Sequence, residues 1–591
     1  MSHWKTFRLG TLAILCTMTT TLSMGSMVAL AGDQTRVNVT VNPSAPIVRI
    51  PSTALGVNTQ VWDTHLMDAS IPSLIKRIGA TMLRYPGGSA ADVYHWQTNT
   101  WKGQVLPQNN FDSFMGLVQK AGAQPIITVN AGDRDPAEAA AWVKYANVTH
   151  KYNVNYWEIG NEMYGKWEHG NFAGNPAGYA NLASTYIKAM KAVDPSIHVG
   201  VVLAPPGEGW SQWDQVVMQT LQQNGTLPNF GIVHWYSKAT GNLVDPGLLA
   251  STQQIPGWMT TLKENLAHYG KISVWVTETN SGKIGQNSVS LVNSVFLDDD
   301  LSTWIQSGAA NVDWWALHAG IRAAPPVGSV TGTVYNSTNW GDYGLLSSGE
   351  SLGNMHEPPA NTPFPDYYGY EMLGSLIQPG GTMVGTGSSN PLVASHAALL
   401  PNGDLSVMLI NNSSSTTYPV NLQLEGFMTK GDATKLYYGQ GSKGVSISQV
   451  ADLQSVSLSP YSVTVLLFSR HAGHQPQGPH LTDTVSVSGL TTKPGDTETV
   501  SAVFRETRAQ LYHATLDLEI YNSGGDIVGQ KTVPNVSLKP GQSYDTTIDW
   551  VVPNIPGSYT VRAFVFSQSG AATYLADQNA RTFRVTATNP N

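Results

Sequence analysis

Between Ala54 and His318 the chain repeats one pattern eight times: a short apolar run, then a stretch with helical spacing. The runs are Ala54–Asn58, Thr81–Tyr85, Pro125–Asn130, Asn155–Glu162, His198–Ala204, Gly231–Tyr236, Ser273–Glu278 and Val312–His318. Segments such as Ile71–Gly79, Phe111–Gly122, Pro136–Tyr152 and Ala177–Val193 place apolar residues at helical intervals between them. Parallel strands need crossovers of this kind, and eight such units close a (β/α)8 TIM barrel. An open doubly wound sheet is the competing α/β arrangement, but no Gly-rich dinucleotide turn follows the first run. The pattern therefore predicts a barrel over residues 53–375.

The flanks read differently. Residues 32–52 alternate as Val37, Val39, Val41, and residues 376–470 alternate in the same way, as in Leu405–Ile410 and Val463–Phe468. Both are predicted to form one accessory β-sandwich. His471–His480 (HAGHQPQGPH) reads as a linker. Residues 481–591 read as a separate all-β, immunoglobulin-like module, with strands at Thr515–Tyr521, Tyr559–Phe566 and Thr582–Val585 and turns at Lys493-Pro494-Gly495 and Lys539-Pro540-Gly541. Its aromatics, including Tyr512, Tyr521, Tyr544, Trp550 and Tyr559, suit a sandwich core. That favours a structural module over one that grips polysaccharide.

Lys5 and Arg8, the apolar run Leu9–Met18 and the ending Ala29-Leu30-Ala31 form a secretory signal over residues 1–31. The single cysteine, Cys16, lies within it, so a mature, extracellular chain would have no thiol or disulfide chemistry. No later apolar run reaches the roughly 20 residues that span a bilayer. Charged residues make up 12% of the chain, about half the usual share, and the net charge is −8. Without long basic runs, nucleic acid is not expected as a partner. Few carboxylates also means few native ion pairs to lose on protonation, which suits an acidic medium. Composition does not reveal oligomeric state.

The ends of the predicted strands carry the chemistry. The second ends Arg84-Tyr85-Pro86-Gly87-Gly88, the third at Asn130, and the fourth at Gly160-Asn161-Glu162. The sixth ends His234-Trp235-Tyr236, the seventh Thr277-Glu278-Thr279-Asn280, and the eighth Trp314-Trp315-Ala316-Leu317-His318. In a barrel these ends form the catalytic rim. Strands four and seven face each other there, so Glu162 and Glu278 are expected about 5 Å apart, the separation for retaining glycoside cleavage. Glu162 is then the proton donor, kept protonated by apolar surroundings and the charge of Glu278. Glu278 is the nucleophile, kept ionised by Arg84 and a hydrogen bond from Tyr236. Asn161 is placed to donate to the adjacent sugar hydroxyl, with His234 beside it, and Trp315 to offer a flat apolar face.

Glu158 is a rival acid, but its place on the strand points it into the barrel in a structural role. Asp298-Asp299-Asp300 resembles a cation cluster; it reads instead as the solvated start of a helix. The histidines lack metal-ligand spacing, so neither metal nor cofactor is expected.

WEIGNEMYGKW (Trp157–Trp167) together with RYPGGS (Arg84–Ser89) resembles glycoside hydrolase family 51, within the clan of retaining (β/α)8 glycosidases. The resemblance covers roughly residues 35–470. It implies Glu162 as acid/base, Asn161 as its partner, Glu278 as nucleophile, Arg84 as a nucleophile-side ligand, and His234 and Tyr236 beside the reacting sugar. Family members with arabinofuranosidase activity usually carry a strand-one Glu that holds sugar hydroxyls; here Gln60 falls at that place, in GVNTQVWD (Gly56–Asp63). That exchange removes a charged hydrogen bond of about 1.5–3 kcal/mol. The expected activity is therefore endo-cleavage of β-1,4-glucan or xylan, with α-L-arabinofuranosidase action on hemicellulose as the alternative and a non-catalytic carbohydrate-binding protein as the third reading.

Overall fold

The computed structural model describes residues 36–591 except 107, 206–210, 238–244, 283–285, 325–338, 431, 452–455, 471–480, 507–510, 524–526, 567–575, 578–579 and 587–591. The signal-peptide and linker expectations, on residues 1–31 and 471–480, lie outside the described residues. Eight parallel strands close into a barrel: β1 (Leu55–Asn58), β2 (Met82–Tyr85), β3 (Gln124–Val129), β4 (Tyr156–Ile159), β5 (His198–Val202), β6 (Phe230–Ser237), β7 (Ser273–Ser281) and β8 (Asn311–Trp314). Each lies within two residues of its predicted start. Four end earlier than expected: β4 stops at Ile159, because Gly160 turns the chain with φ 75°.

Local signals shape the crossovers. Helix Phe111–Ala121 starts on an Asn110 cap and ends at Gly122 in the left-handed region. Helix Pro136–Val143 is capped by Asp135 and continues as a π-helical segment, Lys144–Thr149.

Strand Val37–Arg49, which precedes the barrel, lies in a nine-stranded sheet between strands Thr382–Ser388 and Tyr418–Leu424. One face of this sheet encloses its own core (Val39, Val407, Val420 and Leu466 among others). The other joins the barrel core through Met408, Ile410, Val463 and Val465. The carboxy-terminal region holds a four-stranded and a five-stranded sheet around a common core. Trp550, Tyr559 and Phe583 pack there, with ring centroids 5.1–5.8 Å apart. The side chain of Tyr512 lies outside the described set.

One expectation is overturned. Asp298, Asp299 and Asp300 do not open a helix; they sit in the middle of Leu291–Gln306, and all three are buried. That helix lies between the barrel and the nine-stranded sheet, so it has no solvated face. Its Asp299 accepts from Thr252 Oγ1 (2.5 Å) and pairs with His396 of the sheet (2.8 Å). Asp300 accepts from Thr279 Oγ1 at 2.7 Å. Neither oxygen of Asp298 has a hydrogen-bond partner among the described residues.

Burial pushes the carboxyls of Asp92, Asp298, Asp300, Asp313, Asp342 and Asp366 well above the ordinary range and so favours their neutral form in the folded chain. A raised folded value means the native state binds more protons than the unfolded chain. The resulting stability is complete below the unfolded carboxyl value, about 4, and is lost as pH climbs through the raised values. Asp68, Asp133 and Asp194 are shifted down but sit at partly or fully exposed positions, so water screens their opposing contribution; Glu162, also shifted down, opposes from a less exposed position but is one group against six. Thermal unfolding is therefore expected to show a higher midpoint at pH 4 than at pH 8. Asp298→Asn should narrow that gap. A midpoint that rises steadily from pH 4 to pH 8 would contradict the reading.

Candidate active site

Arg84 lies one residue before the end of β2, inside the barrel, and is fully buried. Its Nε donates to Glu158 Oε2 (2.6 Å), its Nη1 to Glu278 Oε1 (2.7 Å) and Asn58 Oδ1 (3.0 Å), and its Nη2 to Asn161 Oδ1 (2.9 Å). One guanidinium thus ties β1, β2, β4 and β7 together at the rim. Burial works against its charge, but Glu158 and Glu278 outweigh that and hold it above its ordinary value. Glu158 also accepts from Thr128 Oγ1 at 2.6 Å and is fully buried, the structural role expected of it.

Glu278 is aimed by a local irregularity. Val233 of β6 pairs with Val276, but His234 pairs with Glu278, so Thr277 is an extra residue on β7. Such a bulge turns consecutive side chains toward the same opening. Thr277 meets His234 Nε2 (3.1 Å) and its carbonyl accepts from Asn58 Nδ2 (2.8 Å). Glu278 Oε2 accepts from Tyr236 Oη at 2.7 Å. Burial, then the charge of Glu278, keeps that phenol protonated and a donor.

Glu162 lies past β4, beyond the Gly160 turn, and has φ 41°, in the left-handed region uncommon for such a residue. A Cβ on Gly160 would come within 2.7 Å of Ala131, so glycine is required there. The turn brings Glu162 to His234 Nδ1 (3.1 Å), and His234 Nδ1 also lies 3.6 Å from Glu278 Oε2. Carboxylate oxygens of Glu162 and Glu278 and a ring nitrogen of His234 all lie within 4.8 Å of one another. Their atoms already take hydrogen bonds from Arg84, Tyr236, Tyr164 and Trp167, which suits proton handling; we assign no cation there.

The protonation expected for Glu162 is reversed in the free site. Burial favours the neutral acid, but His234, Trp167 Nε1 (2.9 Å) and Tyr164 Oη (3.0 Å) all donate to it and hold it below the ordinary carboxylate range. Conversely, burial opposes a charge on His234, but Glu278 and Glu162 outweigh it and raise its value. The free site therefore favours the ionised form of Glu162, and the same contacts favour a proton on His234.

The remaining expected residues divide. Asn161 has its oxygen on Arg84 and its amide on Glu168 Oε1 (3.0 Å). Asn130 turns onto its own loop, donating to Asp133 Oδ2 (2.8 Å) and accepting from Asp133 N (3.0 Å). Gln60 is buried against the Gly87 turn. Trp315 lies over Gly88 and lines a cavity of about 190 Å³ with Trp62, Trp101, Lys102, Ser89 and Ala90.

Sequence reasoning missed Asn58, Asp92, Tyr164, Trp167 and Glu168. Tyr164, Trp167 and Glu168 sit in or beside the WEIGNEMYGKW stretch, so proximity to Glu162 was the available signal. Glu168 also accepts from Ser89 Oγ (2.7 Å), and burial pushes its carboxyl up. A second cavity, about 640 Å³, opens beside Glu162 and is lined by Tyr164, Trp167, Trp213, Pro176 and Pro205.

No family model matches the chain. Over 173 residues it is 29% identical to α-L-arabinofuranosidase C of Emericella nidulans, a stretch covering 24% of this chain and 33% of that protein. Over 241 residues it is 24% identical to an intracellular exo-α-(1→5)-L-arabinofuranosidase of Streptomyces lividans, 35% of each chain. The chain thus spans about a third of the length of these curated relatives. In structure it is similar to an α-L-arabinofuranosidase from Thermotoga maritima (TM-score 0.57, 17% identity, 73% of this chain and 99% of that one). It is also similar to a bifunctional glucanase-xylanase from a metagenome library (TM-score 0.54, 16% identity, 74% and 99%).

Removing the Arg84 side chain strands two buried carboxylates. Arg84→Ala is expected to cost about 3–5 kcal/mol of folding stability, measured by denaturant unfolding, as well as activity. A loss under about 1 kcal/mol, the value of an exposed pair, would contradict the burial argument. In fold, the chain is a GH51-like (β/α)8 barrel joined to an accessory β-sheet region.

Proposed function

We propose that this chain is a retaining glycoside hydrolase of plant cell-wall polysaccharide, and that it releases α-L-arabinofuranosyl residues from hemicellulose. The observation that carries the reading is the approach of Glu162 and Glu278 within 4.8 Å across the barrel rim. Retaining cleavage needs carboxyl groups about 5–5.5 Å apart, whereas inversion needs about 6.5–9.5 Å. Glu278 bonds to the anomeric carbon as the glycosidic C–O bond breaks, and the leaving oxygen takes a proton from Glu162. Water then attacks the glycosyl–Glu278 ester, giving its proton to Glu162 and freeing Glu278. Arg84 and Tyr236 each donate to Glu278, stabilising the carboxylate as it leaves in the second step.

The arabinofuranosidase reading replaces the endo-acting expectation, because the relatives whose sequence matches carry that description. Gln60 in place of a charged ligand argues the other way. The aromatic cavity beside Glu162 supports endo-action as the second reading, since it offers stacking surface beyond the cleaved bond. A purely carbohydrate-binding protein would not require both carboxylates so close together. The buried Trp550, Tyr559 and Phe583 support a spacing or protective role for residues 481–591.

The test is an assay on 4-nitrophenyl α-L-arabinofuranoside, arabinoxylan, and cello- and xylo-oligosaccharides. Arabinose release is expected; cleavage confined to the β-1,4 oligosaccharides would overturn the arabinofuranosidase assignment. Glu162→Gln should lower turnover of unactivated substrates about 10²–10⁴-fold. Glu278→Ala should abolish turnover while sugar binding persists. Full activity in either variant would remove that residue from the mechanism.

A further inference from the structure

The proposed reaction needs a proton on Glu162, yet the free site favours its ionised form. The donors responsible are not equivalent. Tyr164 Oη and His234 Nδ1 both reach Oε1, at 3.0 and 3.1 Å, whereas Trp167 Nε1 reaches Oε2, at 2.9 Å. His234 is buried and braced by Thr277. Trp167 is 66% exposed, although its indole carries one of the hydrogen bonds that define the site. It also lines the 640 Å³ cavity, together with Glu162, Tyr164 and Trp213.

That cavity lies on the Glu162 side, and neither Arg84 nor Glu278 lines it. It is where atoms beyond the breaking bond would sit. Tyr164 stands edge-on to both Trp167 and Trp213, with centroids 6.1 and 6.0 Å away, so the wall is an aromatic surface suited to a sugar ring. With Oε1 already taking two donors, Oε2 is the oxygen left for the glycosidic oxygen. Trp167 covers it.

We propose that Trp167 is a latch on Glu162: a sugar entering the leaving-group cavity displaces the indole N–H from Oε2, and Oε2 then takes the proton that it delivers to the glycosidic oxygen. This rests on the glycosidase reading above. The proton comes from solvent through the open cavity and passes to the leaving oxygen as the C–O bond breaks, so no further reactant is needed. The ionised form that the closed latch favours is the one the second step uses as base. The other titratable groups facing Glu162 are His234, Glu278, Tyr164, Tyr236 and Glu168, with Arg84 behind Glu278. Trp167 carries no charge of its own; it acts on Glu162 only through its N–H, which makes it a positioning residue.

The test follows the Glu162 carboxyl by carbon-13 NMR in the full chain labelled on glutamate, with the signal assigned by its loss in Glu162→Gln. The titration is run on the free protein, with xylobiose, with cellobiose, and on Trp167→Phe. The expected result is an upward shift of the midpoint by about one to two pH units in Trp167→Phe and with at least one disaccharide. An unchanged midpoint in Trp167→Phe overturns the proposal. So does a shift in the variant with none from either disaccharide, because the trigger would then be absent. If the variant fails to fold, the titration of the unaltered protein with and without disaccharide decides alone. Because the titration needs no turnover, a protein that cleaves no glycoside refutes the proposed function without being confused with failure of the latch.

Discussion

The Arg84 guanidinium is the contact on which the rest of the site depends. Desolvating a carboxylate costs several kcal/mol even in a relaxed interior, and Glu158 and Glu278 both lie buried beside it. A single cation placed between them offsets that cost twice. Its planar donors also reach Asn58 and Asn161, so the geometry of β1, β2, β4 and β7 at the rim is set by one side chain. A lysine could not bridge four acceptors on different strands in this way.

Around that centre the protein separates charge from neutrality. At the rim the contacts favour charge: the carboxyl of Glu162 is held low by its donors and His234 is raised by its carboxylate neighbours. Behind them Asp92 and Glu168 are pushed toward the neutral acid by burial. Asp92 nevertheless accepts the backbone N–H of Asn161, so it fixes the turn that presents Glu162 without adding a third full charge. The same strategy recurs at the contact with the nine-stranded sheet, where Asp298 and Asp366 are kept neutral by burial.

Much of this was legible in the chain, and the failures share a cause. The barrel strands could be read because apolar runs alternate with helical spacing, a local signal. Glu162 and Glu278 could be read because strand ends in a barrel converge. Asp298–Asp300 could not, since three consecutive acids look solvated until a sheet from 100 residues downstream covers the helix. The turn by which Asn130 engages Asp133 through both ends of its amide was not visible in strand spacing either. The protonation of Glu162 was misjudged because its donors come from β6 and from the loop after β4, and residue type alone does not say where an N–H will point. Gln60 is an exchange that strand position can point to, yet specificity is set by how loops shape the cavities, which no spacing rule conveys.

The central claim is that two carboxylates meet across one anomeric centre at the retaining distance. Proton NMR of the first sugar released, recorded before it mutarotates, tests this most directly. The account predicts that the anomer formed first has the same configuration as the bond cleaved. An initial product of inverted configuration would contradict it, because water would then have attacked directly and Glu278 would not be the nucleophile.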